Sequence, residues 1–143
     1  LSPDTFENRL LYLWCNANCL NVDNWDFNSL GLAREVGESP DLELNAQGKP
    51  RIAWIDITGD AGYSWCNAAC ESATPQWQSK IVETEAALKQ NFPQAIPAGC
   101  DSDVWEGLAP VLSLDKNGNP RIAYDVSVEA RCLYDDPNDG LPP

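Results

Sequence analysis

One stretch occurs twice in this chain and constrains its fold more than any other feature: Leu42-Glu43-Leu44-Asn45-Ala46-Gln47-Gly48-Lys49-Pro50-Arg51-Ile52-Ala53-Trp54 and Leu112-Ser113-Leu114-Asp115-Lys116-Asn117-Gly118-Asn119-Pro120-Arg121-Ile122-Ala123-Tyr124. Each reads as a β-hairpin. Leu-x-Leu alternates as a short strand does, Asn or Asp followed three residues later by Gly supplies a tight turn, and Ile-Ala-Trp or Ile-Ala-Tyr opens a second strand. The proline after each turn stands where a strand begins, one of the few places where a sheet tolerates a missing N–H. Self-similarity of this kind points to a repeated supersecondary unit.

A second motif also recurs. The β-prone run Arg9-Leu10-Leu11-Tyr12-Leu13-Trp14 ends at Cys15-Asn16-Ala17-Asn18-Cys19, and Gly62-Tyr63-Ser64-Trp65 ends at Cys66-Asn67-Ala68-Ala69-Cys70. Trp14 and Trp65 are about 50 residues apart, within the range of propeller blades. A lone Trp follows each motif, Trp25 and Trp77, and opens a stretch that alternates at period two.

One unit therefore has four strands: Leu-x-Leu, then Pro-Arg-Ile-Ala-aromatic, then a strand ending in Trp-Cys, then a strand from the lone Trp. The expected layout is a partial unit over 9–38 with strands three and four, and a full unit over 39–82. An insertion over 83–108 follows, then a partial unit over 109–135 with strands one and two and a shortened strand three at Glu129–Tyr134, and a tail over 136–143. The insertion reads as a short helix over Glu83–Gln90 followed by a loop, and long loops often carry function.

Leu-x-Leu-Asp-x-x-Gly-Asn-Pro-Arg-Ile-Ala-Tyr, with Tyr-x-Trp-Cys-Asn-x-x-Cys and a lone Trp, resembles the blades of bacterial surface and secreted β-propeller proteins. The resemblance implies an all-β fold of four-stranded, disulfide-stapled blades, about two and a half of them in this chain, with a binding or scaffolding role. Nothing catalytic carries over from it, because one fold hosts many functions. Propellers close with at least four blades. The expected partners are therefore further copies of the chain or neighbouring chains at open blade edges, or else the chain is a piece of a larger propeller.

Lysine and arginine number 9 against 22 aspartate and glutamate, a net charge of −13 with pI near 4.1. That balance repels phosphate backbones and anionic lipid, which argues against nucleic-acid and membrane-surface partners. No apolar run is long enough to span a bilayer, so membrane insertion is not expected. The absence of Met implies a processed chain or an excised segment. With six Cys and no His, disulfides in an oxidising compartment are favoured over an all-thiolate zinc site. The expected location is extracellular, at the cell surface or periplasmic. Cys15 with Cys19 and Cys66 with Cys70 would each close a short loop. Cys132 aligns with Cys66, but Asp136 stands where its partner would be, which leaves Cys100; a redox-active thiol pair is the alternative.

Trp14, Trp65, Trp54 and Tyr124 recur at equivalent positions, which favours packing between sheets over ligand contact. Trp105, with Asp101 and Asp103, has no repeat counterpart and is the candidate for stacking on a sugar or docking a partner. Asp115-x-Asn117-Gly118-Asn119 and Asp136-x-Asn138-Asp139-Gly140 place oxygen ligands at alternate positions as calcium loops do, but turn chemistry explains the first. Calcium is the one cofactor considered, at Asp136, Asn138 and Asp139; otherwise none is expected. Arg51 and Arg121 are expected to pair with acidic neighbours between blades. No nucleophile elbow, phosphate loop or His base is present, so the chain is read as non-enzymatic. It is expected to act in binding or as a self-assembling surface component. The alternatives are a carbohydrate-binding module and a fragment of a secreted glycoside hydrolase.

Overall fold

The computed structural model describes residues 9–37, 39–91, 101–106 and 109–131. These form β1 (Leu11–Trp14), β2 (Asp26–Ser29), β3 (Asp41–Leu44), β4 (Pro50–Ile55), β5 (Ala61–Cys66), β6 (Trp77–Glu83), α1 (Glu85–Asn91), β7 (Asp101–Glu106), β8 (Val111–Leu114), β9 (Pro120–Ala123) and β10 (Val126–Arg131). Every strand pair is antiparallel. The four strands of the middle unit form one sheet in chain order, β3-β4-β5-β6. β1 with β2, and β8 with β9, make two-stranded sheets before and after it.

The two Asn/Asp-x-x-Gly turns fold alike. Asn45 Oδ1 accepts the N–H groups of Gln47 at 3.0 Å and Lys49 at 2.8 Å, while Asp115 Oδ1 accepts those of Asn117 and Asn119, both at 2.9 Å. Gly48 and Gly118 take φ of 69° and 79°, the left-handed conformation that closes the turn at least steric cost. With the acceptor and the glycine in place, register follows: Leu42 faces Ile52 and Leu112 faces Ile122.

All six residues of β4 are buried, because both faces of the middle sheet are covered. On one face Ile52 and Trp54 join Leu10, Tyr12, Leu30 and Val36 in a core that Trp14, Leu32, Trp77 and Ile81 flank. On the other, β8 packs against β3 and β4, and the Leu112 N–H donates to Asp41 Oδ2 at 2.6 Å. The first sheet thus covers one side of the second, and the third covers the opposite side. Trp77 ties the first junction together: its Nε1–H donates to Asn28 Oδ1 at 2.9 Å, and Asn28 Nδ2 donates to the Cys70 carbonyl at 2.7 Å.

The helix of the insertion is present at Glu85–Asn91. Thr84 caps it, its Oγ1 accepting the Ala87 N–H at 3.1 Å, and a Lys89 to Glu85 ion pair at 2.8 Å spans one turn. Strand three of the third unit differs from expectation. Glu129–Arg131 belong to β10 and pair with Asp101–Asp103 of β7, not with β9. The middle unit explains this: beyond β3 and β4 the ladder shifts by two residues and resumes at the Val36 to Asp56 bridge. β7 and β10 make the same shift from Val111 opposite Ala123 to Glu106 opposite Val126, so they extend the third hairpin outward. In the middle unit Asp56-Ile57-Thr58-Gly59-Asp60 turns the chain into β5; its counterpart Val126-Ser127-Val128-Glu129-Ala130 lacks turn residues and runs on as strand.

Disulfides join Cys15 to Cys19 and Cys66 to Cys70, each with Cα atoms 5.7 Å apart. Closing so short a loop contributes about 2 kcal/mol at most, so their role is to hold the bend after strand three. The residue before the second cysteine is left-handed in both, Asn18 at φ 53° and Ala69 at φ 55°. Asn tolerates that conformation better than Ala. Ala69→Asn should therefore stabilise the protein by about 0.5 kcal/mol, read as a small rise in thermal midpoint. Cys100 and Cys132 lie outside the described residues.

Candidate functional site

The repeat makes its own internal control for which surfaces are covered. Leu112, on the face of β8 turned toward the middle sheet, is 6% exposed, whereas its counterpart Leu42 on β3 is 49% exposed and Leu44 is 53% exposed. The difference is what lies opposite. β8 finds β3 across the junction; β3 finds only the two-stranded β1-β2 sheet, whose strands correspond to three and four. That sheet covers Ile52 and Trp54 but does not reach the leucines of strand one.

A second apolar surface lies on the β1-β2 sheet itself. Tyr12 and Trp14 turn toward the middle sheet, so Leu11, Leu13 and Phe27, on the opposite face, remain 44%, 51% and 67% exposed. Among the described residues the outer edge of β1 bonds to no strand, and neither does that of β9. Unpaired N–H and C=O groups beside exposed apolar side chains are a template for strand addition. Sequence reading does not single out these side chains. The signal was available: Leu11 and Leu13 stand where the middle unit has Gly62 and Ser64.

Several of the charged groups are committed to structure. Arg34 Nη1 donates to Asp56 Oδ2 and to Asp60 Oδ2, both at 2.6 Å. Burial pushes the Asp56 carboxyl up, but hydrogen bonds from Thr58, Arg34 and the Asp60 backbone outweigh it and hold the group below the usual carboxylate range. Asp115 is also held low, by hydrogen bonds from the Asn119 backbone and side chain first, with Asn117 and Arg121 adding to them. Its carboxylate is thus occupied by its own turn. Arg51 and Arg121 do not pair between sheets. Arg51, in the buried central strand, donates to the Pro50 and Cys66 carbonyls at 2.8 Å and to Asn67 Oδ1 at 2.7 Å, bracing the disulfide loop. Arg121 bonds Asp115 of its own hairpin at 2.8 Å.

Asp101, Asp103 and Trp105 occupy alternate positions of β7, opposite Arg131, Glu129 and Ser127. Asp136, Asn138 and Asp139 lie outside the described residues. Among the described residues no three His, Cys, Asp or Glu side chains are placed to hold a metal ion. The described residues line two open clefts. One of about 380 Å³ lies between Arg9, Ser29, Leu32 and Arg34, and one of about 210 Å³ between Lys49, Ala69, Glu71 and Ser72. Neither brings two carboxylates face to face. No helix among the described residues is long and apolar enough to cross a membrane. Comparison with protein-family models, with curated proteins and with solved structures returns no match.

Proposed function

We propose that this chain is an extracytoplasmic, disulfide-stapled β-propeller-type repeat protein that acts without catalysis, as a self-assembling or partner-binding surface component. The observation that carries the reading is the contrast between Leu112, buried against the neighbouring sheet, and Leu42, half exposed at the same position of the preceding unit. A stacked repeat buries each apolar face only where a neighbour stands, so the uncovered leucines and the open β1 edge call for another chain segment. The two short-range disulfides support an oxidising compartment.

Light scattering on the non-reduced protein tests this. A discrete oligomer or a polymer is the expected result; a well-folded monomer at every concentration would sink the assembly reading. A glycan-binding role is the second reading, favoured by two exposed aromatic side chains, Trp25 and Phe27 at 43% and 67%. Retention on a glycan array, abolished by Trp25→Ala, would establish it over assembly.

A further inference from the structure

We propose that the open edge of β1 receives the β9 edge of a second copy of this chain, so that β8 and β9 of one copy and β1 and β2 of the next form one four-stranded sheet. This rests on the assembly reading above and names the surfaces that carry it.

The template is the middle sheet. There β4 and β5 are bonded, with Arg51 opposite Trp65, Ile52 opposite Ser64 and Ala53 opposite Tyr63. β9 carries the residues of β4, namely Pro120-Arg121-Ile122-Ala123, and β1 carries the two aromatics of the end of β5, Tyr12 and Trp14 for Tyr63 and Trp65, with Leu13 in place of Ser64. The junction between copies therefore sets Arg121 opposite the second copy's Trp14, Ile122 opposite its Leu13 and Ala123 opposite its Tyr12.

The backbone groups at both edges face the right way. Within the first sheet the Leu30 N–H donates to the Leu10 carbonyl at 3.1 Å, so by alternation the even-numbered residues of β1 bond β2. Leu11 and Leu13 then turn their N–H and C=O groups to the open edge. In the third hairpin the Asp115 N–H donates to the Asn119 carbonyl at 2.9 Å, which commits Arg121 and Ala123 to β8 and turns Ile122 outward. Ile122 and Leu13 would exchange hydrogen bonds as Ile52 and Ser64 do, and would add an apolar cross-strand contact. At the next pair, Trp54 opposite Gly62 is replaced by Tyr124 opposite Leu11. The Tyr124 hydroxyl donates to Glu83 of the middle sheet.

The joined sheet would also account for the exposed apolar face. Leu11, Leu13 and Phe27 of the second copy would continue the surface of Leu112 and Ile122, which already lies on the middle sheet of the first, and would cover Tyr63, Trp65 and Val82 there. In the second copy the added strands would in turn cover Leu42 and Leu44. The contact is head-to-tail, so it propagates to a closed ring or a filament. Since each copy carries a net charge of −13, association should strengthen as salt rises.

The test uses the full chain with its disulfides intact. Leu13→Pro blocks the β1 edge and Ile122→Pro blocks the β9 edge, each removing the outward N–H while leaving the ladder inside its own sheet. By light scattering each variant alone should dissociate to monomer, its association weakened on the order of 100-fold. An equimolar mixture should give a one-to-one dimer, because one variant keeps β9 and the other keeps β1. Near-ultraviolet circular dichroism checks that both fold. If either does not, Leu13→Cys mixed with Ile122→Cys replaces it, with a disulfide between copies at positions 13 and 122 expected by peptide mapping. Wild-type protein that is monomeric throughout overturns the assembly reading and this junction with it. Wild-type assemblies that persist in both proline variants, or that give no bond between 13 and 122, overturn the junction alone.

Discussion

Replacing Gly62 with valine should destabilise the protein by about 3 kcal/mol, at the upper end of what overpacking costs. Gly62 is needed for space, not for an unusual backbone angle. It faces Trp54 across β4 and β5, and a Cβ built on it would land inside the Trp54 indole. The indole has nowhere to go. It is 2% exposed, packs with Ile52, Tyr12 and Leu30, and donates from Nε1 to Ser64 Oγ at 2.8 Å, which in turn shares a hydrogen bond of 2.8 Å with Ser79 Oγ. Moving it would leave the buried indole N–H without its acceptor. Urea denaturation with unchanged slope and a lower midpoint is the expected signature. Adding Trp54→Leu should recover part of the loss relative to the sum of the single changes, since both act on one volume. A Gly62→Val protein with the wild-type midpoint would mean that Trp54 does not lie across the strand.

That packing shows how far the sequence could be read. The hairpins around Gly48 and Gly118, the four-strand order of the middle unit and the two Cys-x-x-x-Cys bridges follow from local rules. A left-handed glycine, a side-chain acceptor three residues before it and period-two alternation each act over a few residues. Closed, covered faces do not follow from local rules. Leu42 and Leu112 sit in nearly the same local sequence, yet one is half exposed and the other buried, because the difference lies in which sheet stands opposite.

β10 was missed for a different reason. Aligning Cys132 with Cys66 implied a third strand in the last unit, but reaching one requires the chain to reverse after β9. The Asp-x-Thr-Gly-Asp turn that does this between β4 and β5 has no counterpart at Val126–Ala130, and β-branched residues there favour going straight on. The arginines were misjudged because a guanidinium can satisfy itself on carbonyls. Arg51 lies in a strand buried on both faces, and the nearest acceptors were the Pro50 and Cys66 carbonyls and Asn67. Arg34, by contrast, stands alone in a loop with no repeat to point to it, and only the fold brings it to Asp56 and Asp60.

The same turn supplies the other large effect. Asp56→Ala should cost about 3 kcal/mol, the range for removing one partner of a buried, hydrogen-bonded charge, kept to its lower end because Arg34 is 46% exposed. The Asp56 side chain is 2% exposed and does four things at once. Its Oδ1 accepts from the Thr58 N–H at 2.9 Å, the Thr58 hydroxyl at 2.7 Å and the Asp60 N–H at 2.9 Å, and its Oδ2 accepts from Arg34. Without it the reversal into β5 loses its acceptor, and Asp60 holds Arg34 alone. Asp56→Asn keeps the amide oxygen for the turn and loses the charge, so it should cost less, about 1 kcal/mol. The pH dependence separates the two roles. Because folding holds the Asp56 carboxyl below its usual value of about 3.9, its contribution is complete above that pH and is lost as pH falls through the lower, folded-state value. Wild-type stability should therefore fall toward Asp56→Asn in acid, while Asp56→Ala stays below both. Denaturation midpoints of the three proteins between pH 2 and pH 7 decide it: a constant gap between wild type and Asp56→Asn would show that the charge contributes nothing and that the turn needs only an oxygen.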